Sequence, residues 1–225
     1  MLIARLLRSP AACLLAGLVI FTGARAVAAS SSVRVEIKDP KGAPVADAVA
    51  SLVPLDAPPR LSPPTEPVVI SQNNEEFQPY VTAVVAGTRV LFPNRDTVQH
   101  HVFSQSKAKS FEIPLYKGGD DKAPILFDQP GLVTLGCNIH DWMSAYIVVL
   151  ATPHFAKSGE NGLVPLAELP PGRYRLEVWH PRVAAMVIRE VTIAANDPST
   201  QVISVTLRPD RRLRRAPEAG AGGYK

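Results

Sequence analysis

The chain has 225 residues, of which 24 are basic and 20 are acidic, and its formal net charge is +4. The basic excess lies at the two ends, because residues 29–207 carry 15 basic and 18 acidic side chains. A slightly acidic body gives no support for nucleic-acid binding, and this length allows one large core or two small ones.

The first 28 residues have the pattern of a secretory signal peptide. Arg5 and Arg8 form a basic start, residues 11–23 are apolar, and Ala-Val-Ala at 26–28 provides a small-residue cleavage site. The apolar run is too short for a membrane span. We therefore expect export, to the periplasm in a bacterial cell, without stable membrane insertion after cleavage.

The next segment predicts short β-strands followed by a linker. Residues 33–37 alternate apolar and polar side chains with period two, which is typical of a half-buried strand, and residues 45–53 supply the next one. Residues 54–67 contain six prolines and have no periodicity. Because proline stiffens the chain and removes backbone donors, residues 59–67 are predicted to be a linker.

Strand patterns alternate with Gly and Pro turns through the rest of the chain. We predict strands at 80–85, 88–92, 102–104, 111–115, 125–127, 132–135 and 145–150, and a second set at 162–166, 173–179, 186–193 and 202–207. No run has a helical period longer than a turn or two, so the predicted fold class is all-β. Residues 209–225 are basic and rich in Gly and Ala, and are predicted to be a disordered tail.

Seven residues in the connection between two of these strands bring together a thiol, an imidazole and a thioether. They are residues 137–143, Cys-Asn-Ile-His-Asp-Trp-Met, and include Cys137, His140 and Met143. Copper in electron-transfer sites is held by one Cys and two His in a plane, with a long and weak axial bond to Met. The second imidazole must come from elsewhere, and His100 or His101, which follow a predicted strand and its Pro-Asn turn, can supply it.

Cys137 has no disulfide partner in the mature chain, because Cys13 lies in the predicted signal peptide. A lone thiol in an oxidising compartment is expected to be buried, metal-bound or reactive by design. The alternatives to copper are an inert buried cysteine, a nucleophile assisted by His140 or Asp141, and a zinc ligand. For Met143 the alternative is core packing.

The ligand pattern resembles the cupredoxins, in particular the plastocyanin and amicyanin group. A His-His-Val sequence at 100–102 matches the family's Pro-His-Asn-Val run, and Cys137, His140 and Met143 match its Cys-x-x-His-loop-Met segment with the short His-to-Met gap of amicyanin. The resemblance covers residues 68–150. It implies a Greek-key β-sandwich that binds one copper ion through the first histidine of the pair and these three residues.

The residue after the first ligand departs from the family pattern. Relatives have Asn there and this chain has His101, which leaves open that His101 binds in place of His100. The unused histidine, Asn94 and Asn138 are expected to support the ligands by hydrogen bonds or to brace their loops.

Residues 30–58 and 151–208 resemble two separated parts of a carboxypeptidase regulatory-like domain, a small transthyretin-like sandwich. Asp-Pro-Lys-Gly at 39–42 and Leu-Pro-Pro-Gly-Arg-Tyr at 169–174 carry this resemblance. It implies that the cupredoxin unit is inserted in, or followed by, a second sandwich. Proteins that combine such parts are labelled methylamine-utilisation or plastocyanin-like proteins.

The sequence thus predicts a periplasmic, mononuclear copper protein that carries one electron between redox partner proteins, through Cu(I) and Cu(II), and is not an enzyme. A copper delivery or storage module is the first alternative, and it would release the metal readily to a chelator. A structural or carbohydrate-binding sandwich with incidental metal is the second. Sugar binding would need exposed aromatic side chains on one face.

Overall fold

The computed structural model describes residues 30–120 and 122–210, and within these ranges the chain forms strands and irregular segments without a helix. The strands are β1 (Ser31–Lys38), β2 (Val49–Pro54), β3 (Val68–Val69), β4 (Ser71–Asn73), β5 (Glu76–Gln78), β6 (Val81–Val85), β7 (Thr88–Leu91), β8 (His100–Ser106), β9 (Lys109–Tyr116), β10 (Ile125–Phe127), β11 (Gly131–Gly136), β12 (Ser144–Leu150), β13 (Phe155–Lys157), β14 (Leu163–Leu169), β15 (Gly172–Trp179), β16 (Val187–Ile193) and β17 (Ser199–Ser204). The predicted all-β class is confirmed.

Two predicted segments fall wholly or mostly beyond this description. The predicted signal peptide, 1–28, lies outside the described residues, and so does the predicted tail after residue 210. In the part of the chain that is described, no helix has the length and apolar content needed to cross a membrane.

One β-sandwich is formed by the two ends of the described chain. Its sheets have the strand orders β14-β1-β17 and β13-β2-β15-β16. The period-two pattern of β1 turns Val33, Val35 and Ile37 inward, where all three are buried. They belong to a core cluster drawn from residues 33–52 and 164–205.

The other sandwich is formed by the middle of the chain. A five-stranded sheet of order β6-β12-β11-β8-β9 packs with a three-stranded sheet of order β10-β7-β3, and β4 pairs with β5 in a separate hairpin. Its core cluster is drawn from residues 70–149 and includes Cys137 and Met143. The loop between β11 and β12, which carries the candidate ligands, therefore closes one end of this core.

A third buried cluster joins the two sandwiches. Val49 of β2 and Val148 of β12 both belong to it, and the ring centroids of Tyr146 and Trp179 lie 5.5 Å apart. Apolar burial at this junction stabilises the contact between the sandwiches.

The sequence patterns missed four short strands and several strand starts, such as that of β17 at Ser199 instead of 202. β3, β4, β5 and β13 have only two or three residues each, which is too short for periodicity to be visible. The histidine pair was expected in a loop before residue 102, but β8 begins at His100. Pairing of His100 with Tyr116 extends the β8–β9 ladder past the predicted strand end.

Candidate metal centre

The start of β8 buries two consecutive imidazoles. His100 is 0% exposed and His101 is 4% exposed. Successive strand residues point to opposite faces, and the β8–β9 register shifts between His100 and Val102, as at a β-bulge. The side chains of His100 and His101 therefore point in different directions and contact different groups.

The second ligand segment begins where β11 ends. Gly136 pairs with Phe103 of β8, and a Cβ atom on Gly136 would lie 2.9 Å from Cζ of the Phe103 ring. Glycine is therefore needed for the close approach of β11 to β8. At the other end of the loop, the Met143 N–H donates a 2.9 Å hydrogen bond to the His140 carbonyl oxygen, which closes a tight turn before β12.

These elements bring three candidate donor atoms together. The Nδ1 atoms of His100 and His140 are 3.1 Å apart, and His140 Nδ1 is 3.8 Å from Cys137 Sγ. One donor atom from each of these three residues lies within 4.8 Å of the other two. Cys137 is 5% exposed, so the cluster lies beneath the surface.

The spacing of these atoms fits a single first-row metal ion. Metal bonds of about 2.1 Å to nitrogen and about 2.3 Å to sulfur, in a trigonal plane, place the two nitrogens about 3.6 Å apart and nitrogen and sulfur about 3.8 Å apart. The observed 3.1 and 3.8 Å between the corresponding atoms are close to these values. One thiolate and two imidazoles are also the donor set that copper prefers in trigonal sites.

The surroundings of Cys137 favour its thiolate. Burial opposes ionisation, but hydrogen bonds from the His100 side chain and from the backbone N–H groups of His101 and Ile139 outweigh it. A further hydrogen bond comes from His140, and the pKa of the Cys137 thiol is lowered to about 6. The thiolate is the form of cysteine that binds metals.

A carboxylate holds the far side of the His100 ring. His100 Nε2 lies 2.7 Å from Asp96 Oδ2. Burial acts to lower the pKa of His100, but hydrogen bonds with Cys137 and Asp96 outweigh this effect and raise the pKa. Burial likewise acts to raise the pKa of Asp96, and hydrogen bonds from the Glu75 backbone, His100 and the Asn74 backbone bring it below its usual value.

The His101 side chain does not join the donor cluster. Its Nε2 lies 2.8 Å from Glu112 Oε1, while its backbone N–H donates to Cys137 Sγ at 3.5 Å. The main chain of His101 therefore contacts the sulfur and its imidazole does not belong to the three clustered groups. The donor cluster therefore contains His100 and not His101.

The other predicted site residues have distinct positions. Met143 is 2% exposed and belongs to the core cluster beside Cys137, so its burial is compatible both with packing and with an axial role. Asn94 is buried, and its Nδ2 donates to the carbonyl oxygens of Val98 and Tyr116 at 2.9 and 3.0 Å. It braces the loop that leads into β8. Asn138 is exposed.

Sequence reasoning missed the acidic partners of the histidines. Asp96 and Glu112 each lie within 2.8 Å of an imidazole nitrogen, and neither was predicted as a site residue. Asp96 stands four residues before His100, but this spacing in a loop has no diagnostic value. Glu112 could have been found only from the β8–β9 register, which no local pattern reveals.

Comparisons with known proteins give structural matches over part of the chain. No protein-family model matches it, and no curated protein sequence does. A copper-containing nitrite reductase from Thermus scotoductus is 25% identical over 43% of this chain, with a TM-score of 0.36, and the match spans 25% of that enzyme. A purple cupredoxin from Nitrosopumilus maritimus is 23% identical over 37% of this chain and 99% of its own, with a TM-score of 0.34. A reduced amicyanin variant is 19% identical over 45% of this chain and 98% of its own, with a TM-score of 0.35.

Proposed function

We propose that this chain is an exported, mononuclear copper protein of the cupredoxin kind that carries one electron between redox partner proteins. The observation that supports it most is the cluster of one cysteine sulfur and two Nδ1 nitrogens, from the buried Cys137 and His100 and the partly exposed His140. Copper bound there would supply the electron by cycling between Cu(II) and Cu(I). Residues 1–28 as an export signal and the periplasm as the location belong to the same proposal.

Each residue has its own task in this proposal. Cys137 provides the thiolate, and its low pKa keeps the sulfur ionised at neutral pH. His100 and His140 complete the plane, and Met143 provides a weak axial sulfur. Burial of His100 and anchoring of the loop at both ends hold the donors in nearly fixed positions. A rigid donor set lowers the energy needed to rearrange the ligands when the metal changes its oxidation state.

Electron exchange is expected near His140. This residue is partly exposed, whereas His100 is fully buried. Ile139 beside it is 46% exposed, and Val98 in the loop before β8 is 41% exposed. A partner that approaches this end of the sandwich would meet apolar surface around the most accessible ligand.

The alternatives have weaker support. A delivery module needs accessible ligands, and here two of the three clustered side chains, His100 and Cys137, are buried. A carbohydrate-binding face needs exposed aromatic rings, and none of the Phe, Tyr and Trp side chains in residues 30–120 and 122–210 is exposed. A cysteine nucleophile needs access to substrate, which the 5% exposure of Cys137 restricts.

The remaining sandwich is proposed to be a carboxypeptidase regulatory-like domain formed by residues 30–58 and 151–208. It would act as a scaffold, because its Trp179 packs on Tyr146 of β12, the strand that follows the ligand loop.

Potentiometric titration of the copper-loaded protein tests the proposed function. The expected result is a single, reversible one-electron transition, with copper retained in both oxidation states. Loss of copper to a weak chelator on reduction would instead support delivery or storage.

A further inference from the structure

One turn of the chain contacts the supports of both histidine ligands. The strands β4 and β5 are joined by residues 74 and 75, here called the 74–75 turn. Asn74 has φ of 54° and Glu75 has φ of 55°. Two left-handed residues match the twist of a two-residue hairpin, and Asn is favoured there, but Glu is not. Glu75 thus carries backbone strain in a turn that lies against the metal centre.

The first contact of the 74–75 turn runs to Asp96. The Asn74 N–H donates to Asp96 Oδ1 at 2.7 Å, and the Glu75 N–H donates to Oδ2 at 2.9 Å. The same Oδ2 bonds His100 Nε2 at 2.7 Å. Two backbone donors therefore fix the carboxylate that faces His100, and hydrogen bonds to an ionised carboxylate are strong ones.

The second contact runs to Trp142. Its indole N–H donates to the carbonyl oxygen of Glu75 at 3.2 Å. The Trp142 ring lies against His140, with 5.3 Å between ring centroids and 46° between ring planes. The turn is therefore connected to His100 through one side chain and to His140 through another.

We propose that the 74–75 turn is the positioning element of the metal centre, and that Asp96 and Trp142 are the positioning residues for His100 and His140. This inference rests on the proposed function for its metal-binding consequence. A carboxylate at Nε2 favours the tautomer that carries its proton on Nε2, which leaves His100 Nδ1 free as a donor to a metal. Trp142 limits the orientation of the His140 ring.

The neighbouring histidine supplies a matched control. Glu112 bonds His101 Nε2 at 2.8 Å, so it makes the same kind of contact with an imidazole outside the donor cluster. Glu112→Ala removes a carboxylate from a histidine, as Asp96→Ala does, without touching His100. The comparison separates positioning of a ligand from a general effect of acidic side chains near the site.

Competition for Cu(I) with a chromophoric chelator measures the metal affinity of the mature full chain and its variants. We expect Asp96→Ala to weaken binding by about 10–100-fold, as for other supports of metal-binding histidines. Trp142→Phe keeps a ring against His140 but loses one hydrogen bond, and should weaken binding by about fivefold. Glu112→Ala should bind like the parent. Parent affinity in both Asp96→Ala and Trp142→Phe, or a loss in Glu112→Ala equal to that in Asp96→Ala, would overturn the proposal.

A second measurement does not depend on copper. Nitrogen-15 NMR is recorded on the metal-free protein in a Cys137→Ala background, which removes the sulfur that accepts from the same ring, at a pH high enough for the His100 ring to be neutral. It should show His100 protonated on Nε2 when Asp96 is present and a mixture of tautomers in Asp96→Ala. An unchanged tautomer would overturn the role of Asp96. A parent that binds no copper would remove the proposed function, while the tautomer result would still report on the positioning of His100. If Asp96→Ala does not fold, Asp96→Asn and Trp142→Phe carry the same comparisons.

Discussion

The Nδ1 atoms of His100 and His140 lie 3.1 Å apart, although 40 positions separate the two residues in the chain. Antiparallel pairing of β8 with β11 at Gly136 brings the first residue of β8 to the loop that carries Cys137 and His140. Two segments that are distant in sequence therefore form one donor cluster. The predictions below test whether this cluster binds copper and what supports it.

Separate substitution of His100 and of His101 should have different effects on copper binding. We expect His100→Asn to lose copper, because His100 supplies one of the three clustered donor atoms. His101→Asn should keep one copper per chain, because the backbone N–H of residue 101 still reaches Cys137 Sγ. The copper content of the desalted proteins, measured by mass spectrometry, checks both. Copper in His100→Asn and none in His101→Asn would reverse the ligand assignment.

Gly136→Ala should disturb the site from the end of β11. The new methyl group would meet the Phe103 ring at 2.9 Å, and overpacking of this kind costs about 1–3 kcal/mol. We expect a lower urea midpoint and weaker copper binding. Phe103→Leu in the same chain should recover part of both losses, since it removes the obstructing ring. If neither the urea midpoint nor copper binding recovers, the contact with the Phe103 ring is not the cause of the losses in Gly136→Ala.

Met143→Leu separates the two roles of Met143. The substitution nearly conserves side-chain volume, so the free energy of unfolding should change by less than about 1.5 kcal/mol. If Met143 is the axial ligand, loss of its sulfur should change the redox potential and the visible spectrum of the copper protein. We expect this second result. An unchanged potential and spectrum would assign Met143 to core packing alone.

Tyr116 should make the stability of the metal-free protein fall at high pH. Burial raises the pKa of this phenol to about 12, and its hydroxyl donates to the Phe92 carbonyl oxygen at 2.5 Å. In the unfolded chain the phenol ionises near pH 10, so the unfolded state releases its proton first. The stabilising contribution is therefore complete below about pH 10 and is lost as the pH rises towards 12, by up to about 2–3 kcal/mol.

Tyr116→Phe is the control for this pH dependence. The variant should be less stable at pH 8, by about 1–3 kcal/mol, because the hydroxyl loses two hydrogen bonds, one donated to the Phe92 carbonyl oxygen and one accepted from the Gln72 side-chain amide. Between pH 10 and 12 its free energy of unfolding should fall less steeply than that of the parent. Urea unfolding at several pH values measures both slopes, and parallel slopes would contradict the assignment to Tyr116.

The sequence was sufficient for the fold class and for locating the segment that carries three of the candidate ligands. Alternating patterns such as that of 33–37 predict strands directly, and Cys137, His140 and Met143 lie on one short loop, so their grouping needs no tertiary information. The choice of His100 came from a family resemblance and stays a prediction. In the structure His100 is one of the three clustered donors, and the His101 side chain contacts Glu112.

The residues that position the candidate ligands could not be predicted from sequence patterns. Asp96 acts on His100 only because the 74–75 turn fixes its carboxylate, and that contact spans more than 20 residues. The strands that form this hairpin have three residues each, too few for a period to appear. Their positions depend on packing against the rest of the sandwich, which long-range contacts decide.

The visible absorption spectrum of the mature protein after addition of Cu(II) tests the central claim most directly. We expect an intense thiolate-to-copper charge-transfer band at one copper per chain, and its complete loss in Cys137→Ser, which removes the sulfur but keeps a similar volume. A colourless parent protein, or a band that survives in Cys137→Ser, would contradict a copper centre at His100, Cys137 and His140.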